Sequence, residues 1–72
     1  MVMPKILLVD DDALLGRAIA LALSDLTRIS VAHHFEEGLQ KLTEVAPDLL
    51  IVDYQLGDQD GLEFITHARR EY

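Results

Sequence analysis

The chain is poor in several residue types, and each shortage excludes a class of function. It contains no cysteine, so it forms neither a disulfide nor a thiolate metal site, which fits a reducing compartment such as the cytoplasm. Six lysines and arginines stand against thirteen acidic residues, for a net charge of −7. This balance excludes a nucleic-acid surface, which needs clustered positive charge. The longest uninterrupted apolar run covers residues 18–23, far short of a membrane span, so we expect a cytoplasmic chain without a membrane segment.

What remains is the composition of a small globular domain. Half of the residues are apolar and 26% are charged, which is typical of a folded chain rather than a disordered one. The 72 residues make one domain at most. A chain of this length buries only about 60% of the surface that its unfolded form exposes, so its stability is marginal without a staple or a partner.

Three short segments have the pattern of β-strands. Lys5–Val9 and Leu49–Val52 are wholly apolar apart from the leading lysine, as in strands buried on both faces of a parallel sheet. Arg28–Ala32 alternates between apolar and polar residues, which also favours a strand. Each segment is followed by a stretch with helical spacing.

Apolar residues recur with the period of a helix after each predicted strand. Pro47 ends the second helix, and Asp60 with Glu63 forms a capping-box pattern that opens the third. The predicted apolar stripes are Leu15, Ile19, Ala22 and Leu26; Phe35, Leu39, Leu42 and Ala46; and Leu62, Ile65 and Ala68.

The resulting order, β-α-β-α-β-α, predicts an α/β fold with a parallel sheet and right-handed helical crossovers. In such sheets ligands bind beyond the carboxyl ends of the strands. Residues 10–12 are three successive aspartates after the first strand, and Asp53 follows the third. We therefore expect these two acidic groups to converge at one edge of the sheet.

Neighbouring carboxylates repel one another and are costly unless a cation neutralises them. Asp12 is best explained as the N-cap of the first helix, a common role for aspartate. For Asp10, Asp11 and Asp53 a bound divalent ion is the simpler explanation. Oxygen ligands without histidine or cysteine favour Mg²⁺ over zinc.

The segments KILLVDDDALLGR and DLLIVDYQLGDQDGLEF resemble the two signature segments of the response-regulator receiver domain of two-component signalling. The resemblance implies a flavodoxin-like, doubly wound parallel sheet, here truncated to three βα units with strand order 2-1-3. It implies that residues 1–72 form a partial receiver domain, about three fifths of a complete one.

The resemblance also implies a phosphoacceptor function. Asp53 would be the nucleophile that takes a phosphoryl group from the phosphohistidine of a sensor histidine kinase, with Mg²⁺ as cofactor. Asp10, Asp11, Asp53 and the backbone carbonyl of Gln55 would hold the metal. The chain would then be a signalling phosphoacceptor rather than an enzyme with turnover. One departure is Gly57, where the family often has proline.

Two groups of the family have no counterpart in the chain: a serine or threonine after a fourth strand and a lysine after a fifth. Lys5 begins its strand at the opposite end of the sheet, and Lys41 and Arg17 are interpreted as solvated helix residues. We therefore expect phosphorylation of this chain to be impaired. The alternative is a receiver-like interaction module that assembles without phosphorylation, and the exposed third strand would make either form a homo-oligomer.

Other kinds of site do not fit the sequence. A haloacid-dehalogenase-like phosphatase needs an aspartate two positions after the nucleophile, where this chain has Gln55. A calcium-binding EF-hand loop fails at its first and last ligand positions, Leu56 and His67. His33 and His34, at a strand-to-helix junction, are interpreted as surface residues away from the acidic groups.

Overall fold

The computed structural model describes residues 3–71. Three parallel strands alternate with three helices, and a short hairpin precedes the last helix. The elements are β1 (Lys5–Val9), α1 (Ala13–Leu23), β2 (Arg28–Ala32), α2 (Phe35–Val45), β3 (Leu49–Val52), β4 (Gln55–Leu56), β5 (Gln59–Asp60) and α3 (Gly61–Glu71). None of the described helices is long and apolar enough to cross a bilayer.

The three main strands form one parallel sheet in the order β2-β1-β3. β1 lies in the centre, where Ile6 pairs with Ile29 on one side and with Leu49 on the other. The flavodoxin-like order 2-1-3 and the bounds of all three predicted strands are confirmed. Among the described residues, β3 pairs only with β1, so its other edge is open.

The main core lies on the sheet face that α2 and α3 cover. Side chains of successive strand residues point to opposite faces, and this face takes the odd-numbered β1 residues Leu7 and Val9. They pack with Phe35 and Phe64, whose rings meet edge to face at 5.3 Å. The buried members of this core are Leu7, Val9, Ala32, Phe35, Leu42, Leu56, Phe64 and Ala68.

Within residues 3–71 the opposite face is covered by α1 alone. This helix approaches the sheet through Gly16, whose Cα faces the side chains of Val31 and Leu8. The predicted stripe of α1 is wrong: Leu15 is 49% exposed, and Leu26 is exposed and lies beyond the end of the helix. The close approach at Gly16, the one buried residue of α1, takes the place of a leucine contact.

In α3 the predicted Ala68 is buried, but the other two members of the predicted stripe are not. Gly61, Phe64 and Ala68 are its buried residues, whereas Leu62 and Ile65 are exposed. In α2 the predicted Phe35 and Leu42 are buried. Ala46, predicted as part of the α2 stripe, is instead an exposed left-handed cap after its last residue.

The β4–β5 hairpin was not predicted from the sequence. Its two-residue turn consists of Gly57 and Asp58, and Gly57 has a φ of +60°. A positive φ at the first turn position is the place where type II′ turns put glycine. Leu56, 4% exposed, anchors the hairpin in the main core.

Candidate functional site

The structure brings three carboxylates together at the carboxyl edge of the sheet. Asp10 and Asp11 follow β1, and Asp53 follows β3. One carboxylate oxygen from each lies within 4.8 Å of the others. Asp10 is buried, Asp53 is half-buried and Asp11 is exposed, so the group opens to solvent on the Asp11 side. The predicted convergence of the two acidic segments is therefore seen in the structure.

The hydrogen-bond pattern of the parallel sheet continues one residue beyond the strands and fixes the backbone of Asp10 and Asp53. The N–H of Asp10 donates to the carbonyl of Ala32 at 2.9 Å, and the N–H of Asp53 donates to the carbonyl of Val9 at 2.9 Å. Asp10 Oδ1 accepts from the N–H of Asp12 at 2.9 Å. The parallel pairing thus places Asp10 and Asp53 on adjacent strands at the same height.

Asp12 stands apart from this cluster, as predicted. It is the N-cap of α1, and its Oδ1 accepts from the N–H of Leu15 at 3.0 Å. This bond satisfies one of the free donors at the start of the helix. The third aspartate of the run is thus explained by helix capping alone.

The hairpin turn contacts the cluster through the backbone N–H of Gly57. Its N–H donates to Asp11 Oδ2 at 2.9 Å, and its carbonyl accepts from Gln55 Nε2 at 3.3 Å. Gln55 begins β4, two residues after Asp53, and its side chain is exposed. Neither bond could be predicted from the sequence, because both depend on how the turn folds back.

Gly61 lies directly against the backbone of Asp53. Its N–H donates to the carbonyl of Tyr54 at 2.8 Å. A Cβ added at Gly61 would lie 2.0 Å from the carbonyl oxygen of Asp53, so only glycine fits here without moving that backbone. Asp60 Oδ1 accepts from the N–H of Leu62 at 2.8 Å, which confirms the capping role of Asp60.

His33 is nearer to the acidic residues than predicted. Its Nδ1 lies 3.3 Å from the backbone carbonyl oxygen of Asp10, so the interpretation of His33 as remote from the acids is wrong. It immediately follows β2, and the carboxyl end of β2 lies beside that of β1. The same strand-end rule that predicted the acidic cluster could have found it. His34 is exposed, as expected.

Glu37 and Lys41 stabilise the end of β2. Glu37 Oε1 accepts from the N–H of His33 at 2.8 Å, and this bond, with the smaller influence of Lys41, lowers the pKa of Glu37 against an opposing effect of burial. Lys41 Nζ donates to the carbonyl of Val31 at 2.7 Å and lies 3.7 Å from Glu37 Oε2. The interpretation of Lys41 as a merely solvated charge is therefore wrong.

Three comparisons with known proteins agree on one family. A family model for the response regulator receiver domain matches residues 6–72. The transcriptional regulatory protein TrcR of Mycobacterium tuberculosis is 38% identical over 66 residues, which make up 90% of this chain and 26% of TrcR. The KDP operon transcriptional regulatory protein KdpE of Escherichia coli is 36% identical over 69 residues, 94% of this chain and 31% of KdpE.

Solved structures give the same answer. The non-phosphorylated receiver domain of HemR from Leptospira biflexa matches with a TM-score of 0.85 at 31% identity, over 93% of this chain and 55% of that one. The BeF3-activated receiver domain of DrrB matches with a TM-score of 0.84 at 27% identity, over 97% of this chain and 58% of that one. The chain therefore spans less than a third of the two curated relatives and little more than half of these solved domains.

Proposed function

The chain belongs to the response regulator receiver domain family, and from this membership we propose that Asp53 accepts a phosphoryl group from the phosphohistidine of a sensor histidine kinase. The observation that carries the proposal is the grouping of Asp53 with Asp10 and Asp11, with one oxygen of each within 4.8 Å of the others. The position of Asp53 at the carboxyl end of β3 supports it, because ligands of such sheets bind at that edge.

Receiver domains bind Mg²⁺ at acidic residues, and we assign that role here to Asp10, Asp11, Asp53 and the backbone carbonyl of Gln55. The donors fit a hard cation, since all are oxygens. Within residues 3–71 the one ion pair joins Lys41 to Glu37, so no lysine or arginine neutralises the three carboxylates. A bound Mg²⁺ would supply that neutralisation and would offset the charge of the incoming phosphoryl oxygens.

Phosphoryl transfer requires mainly that the reacting groups are positioned and their charge is stabilised. A carboxylate oxygen of Asp53 attacks phosphorus, the phosphorus–nitrogen bond of the phosphohistidine breaks, and its electron pair stays on the imidazole nitrogen. The product is an aspartyl phosphate on Asp53. The hydrogen bond from its N–H to the Val9 carbonyl holds the nucleophile in place while the charge at the site changes. A cytoplasmic location is consistent with this role and with the absence of cysteine.

Intact-mass measurement tests this function. The chain is incubated with a small-molecule phosphodonor and Mg²⁺, and we expect slow addition of one phosphoryl group that needs the cation. Asp53→Asn should abolish it, whereas the matched control Asp58→Asn, on the exposed hairpin turn, should not. Modification that persists in Asp53→Asn would contradict the assignment.

We further propose a second copy of the chain as the partner of β3. In the part of the chain that the structure describes, the outer edge of β3 carries unpaired N–H and C=O groups, which favour pairing with another strand. Leu49 and Ile51 are 52% and 38% exposed on the face that only α1 covers, so a two-fold axis at this edge would bury both from each copy. This open edge also favours the second candidate function, an interaction module that needs no phosphorylation.

Light scattering at micromolar concentration tests the dimer. We expect the mass of two chains, and Ile51→Glu should reduce it to one. Leu62→Glu is the matched control, because Leu62 is also a large apolar residue and is exposed, at 58% against 38% for Ile51, but lies on α3. A folded species with the mass of one chain would contradict the dimer, whereas a dimer that never gains a phosphoryl group would favour the interaction module.

A further inference from the structure

The backbone of Gly57 is hydrogen-bonded, through both its N–H and its carbonyl, to residues of the proposed cation site. Its N–H donates to Asp11 Oδ2 at 2.9 Å, and its carbonyl accepts from the Gln55 side chain at 3.3 Å. Asp11 and Gly57 are 46 positions apart in the chain. The turn of the hairpin is therefore attached to the acidic cluster by a long-range hydrogen bond.

The residue type at position 57 decides whether this bond can form. Proline has no N–H, and its ring fixes φ near −65°, whereas Gly57 has a φ of +60°. Space is not the constraint, because a Cβ at Gly57 would meet nothing within 4 Å. Glycine at position 57 therefore supplies a donor that a proline would lack.

The bond matters because Asp11 has the most freedom of the three carboxylates. Asp10 is buried and Asp53 is half-buried, but Asp11 is exposed, and repulsion from its two neighbours favours rotation towards solvent. A donated N–H opposes that rotation. A carboxylate has about four acceptor positions, so a bond at Oδ2 leaves Oδ1 available for a cation.

The donor is itself held firmly. Leu56 is buried in the main core next to it, and β4 and β5 pair through Gln55 with Asp60. At the base of the hairpin, the N–H of Gly61 donates to the carbonyl of Tyr54 at 2.8 Å. The turn thus offers its N–H from a fixed position rather than from a free loop.

We propose that the main-chain amide of Gly57 is a positioning donor that holds the Asp11 carboxylate in place for a divalent cation. The inference rests on the proposed cation site. It adds that occupancy of the site and the conformation of the hairpin are coupled, and such coupling is reciprocal. Loss of the N–H should weaken cation binding, and a bound cation should in turn make the Gly57 amide less free to open.

The test compares two variants at one position. Gly57→Pro removes the donor, whereas Gly57→Asn keeps it, and asparagine tolerates positive φ. Titration of each chain with Mg²⁺, followed by amide resonances or calorimetry, gives the affinity. Removal of a group that orients a metal ligand typically weakens binding 10- to 100-fold, and we expect about 10-fold here because Asp11 is exposed. Gly57→Asn should retain nearly the wild-type affinity.

A second measurement separates positioning from damage to the turn. A chemically synthesised chain with an ester in place of the Leu56–Gly57 amide deletes the N–H and leaves glycine in its own conformation. It should lose affinity as Gly57→Pro does. In the wild type, added Mg²⁺ should slow hydrogen exchange at the Gly57 amide, and this effect should vanish in Asp11→Ala.

The outcomes are distinct. If the wild type binds Mg²⁺ and the ester chain binds it equally well or better, the inference is wrong and the proposed site stands. If the wild type binds no Mg²⁺, or binds it independently of Asp53, the proposed cation site is wrong and this inference fails with it. Weakening in the ester chain together with rescue by asparagine supports the inference.

Discussion

The two faces of the sheet are built in different ways, although both cover the same three strands. On the face of α2 and α3, aromatic and aliphatic side chains fill the space, and Phe64 is fully buried. On the other face α1 approaches through a glycine and leaves Leu15, Leu49 and Ile51 exposed. The face under α2 and α3 is filled by packed side chains, whereas the face under α1 leaves apolar side chains of β3 exposed to a partner.

This difference suggests that stability and assembly are divided between the faces. Burial of apolar area stabilises a fold in proportion to the area removed from water, so most of that contribution here comes from the α2 and α3 face. The α1 face contributes less to the single chain. It can therefore tolerate change that the packed face cannot, and matched substitutions on the two faces should show it.

The largest effect should come from truncating the central aromatic residue of the packed face. Phe64→Ala removes a fully buried ring that meets Phe35 edge to face, and such changes cost about 3–5 kcal/mol. Leu15→Ala, on the other face, should cost less than about 1 kcal/mol, because that side chain is half exposed. Urea unfolding of both variants measures the free energies. Equal losses would refute the division between faces.

Two glycines give a closer match, because each is the fourth residue of its helix. Gly38 in α2 faces the Phe64 ring, and an added Cβ would lie 2.6 Å and 2.9 Å from two of its ring atoms. A Cβ added at Gly16 in α1 would lie 3.1 Å from Val31 Cγ1. Val31 belongs to β2, an outer strand of the sheet that can shift.

We expect Gly38→Ala to destabilise the chain by about 1–3 kcal/mol through overpacking. Gly16→Ala should range from neutral to about 1 kcal/mol stabilising, since alanine favours a helix by nearly that amount. The shift of the urea midpoint in a common buffer measures both. If the Gly38→Ala chain were as stable as the Gly16→Ala chain, the packed face would accommodate an added methyl group as easily as the α1 face does.

The connections between helices and strands differ in the same way. On the packed side, α2 reaches β3 through Ala46, which adopts a left-handed conformation with a φ of 47°. This conformation costs a non-glycine residue roughly 1–2 kcal/mol. On the α1 side, residues 24–27 connect the helix to β2 without a positive φ.

Ala46→Gly should therefore stabilise the chain by about 1 kcal/mol. The matched control is Ala18→Gly in the interior of α1, which should destabilise it by about the same amount. Thermal or urea unfolding of the pair measures both signs. If both substitutions lowered the stability, Ala46 would not be under the strain that its φ indicates.

The features that could be predicted from the sequence are those that follow from apolar runs and from the positions of strand ends. Apolar runs ending at Asp10 and Asp53 located β1 and β3, and the parallel order placed the acidic residues together. The packing of α3 could not be predicted from the stripe alone, because Leu62 and Ile65 are as apolar as Phe64. The contact of Gly61 with the Asp53 backbone fixes which side of the helix faces the sheet.

The finer features of the site depend on three-dimensional contacts that leave no local pattern. The bond between Gly57 and Asp11 joins two loops, and a two-residue strand such as β4 is too short for a hydrophobic period. His33 is an intermediate case, because the strand-end rule places it near Asp10.

The smallest effect concerns how the two helices begin. α1 has a capping aspartate, whereas His34 at the start of α2 makes no capping hydrogen bond through its side chain. Glu37, in the first turn of α2, instead accepts from the N–H of His33, and this bond lowers the pKa of Glu37 below its ordinary value of 4.5. A lowered pKa stabilises the folded chain above the ordinary value, and the contribution is lost as the pH falls through the folded-state pKa.

Glu37→Gln keeps a hydrogen-bond acceptor but removes the charge. We expect the wild type to be slightly more stable than this variant near neutral pH, with the difference shrinking as the pH falls below 4.5. Glu44→Gln, on the exposed side of the same helix, is the matched control and should show no such convergence. Urea midpoints measured from neutral to acid pH give both differences. A Glu37→Gln difference that stays constant with pH would mean that the carboxylate charge adds nothing to this helix start.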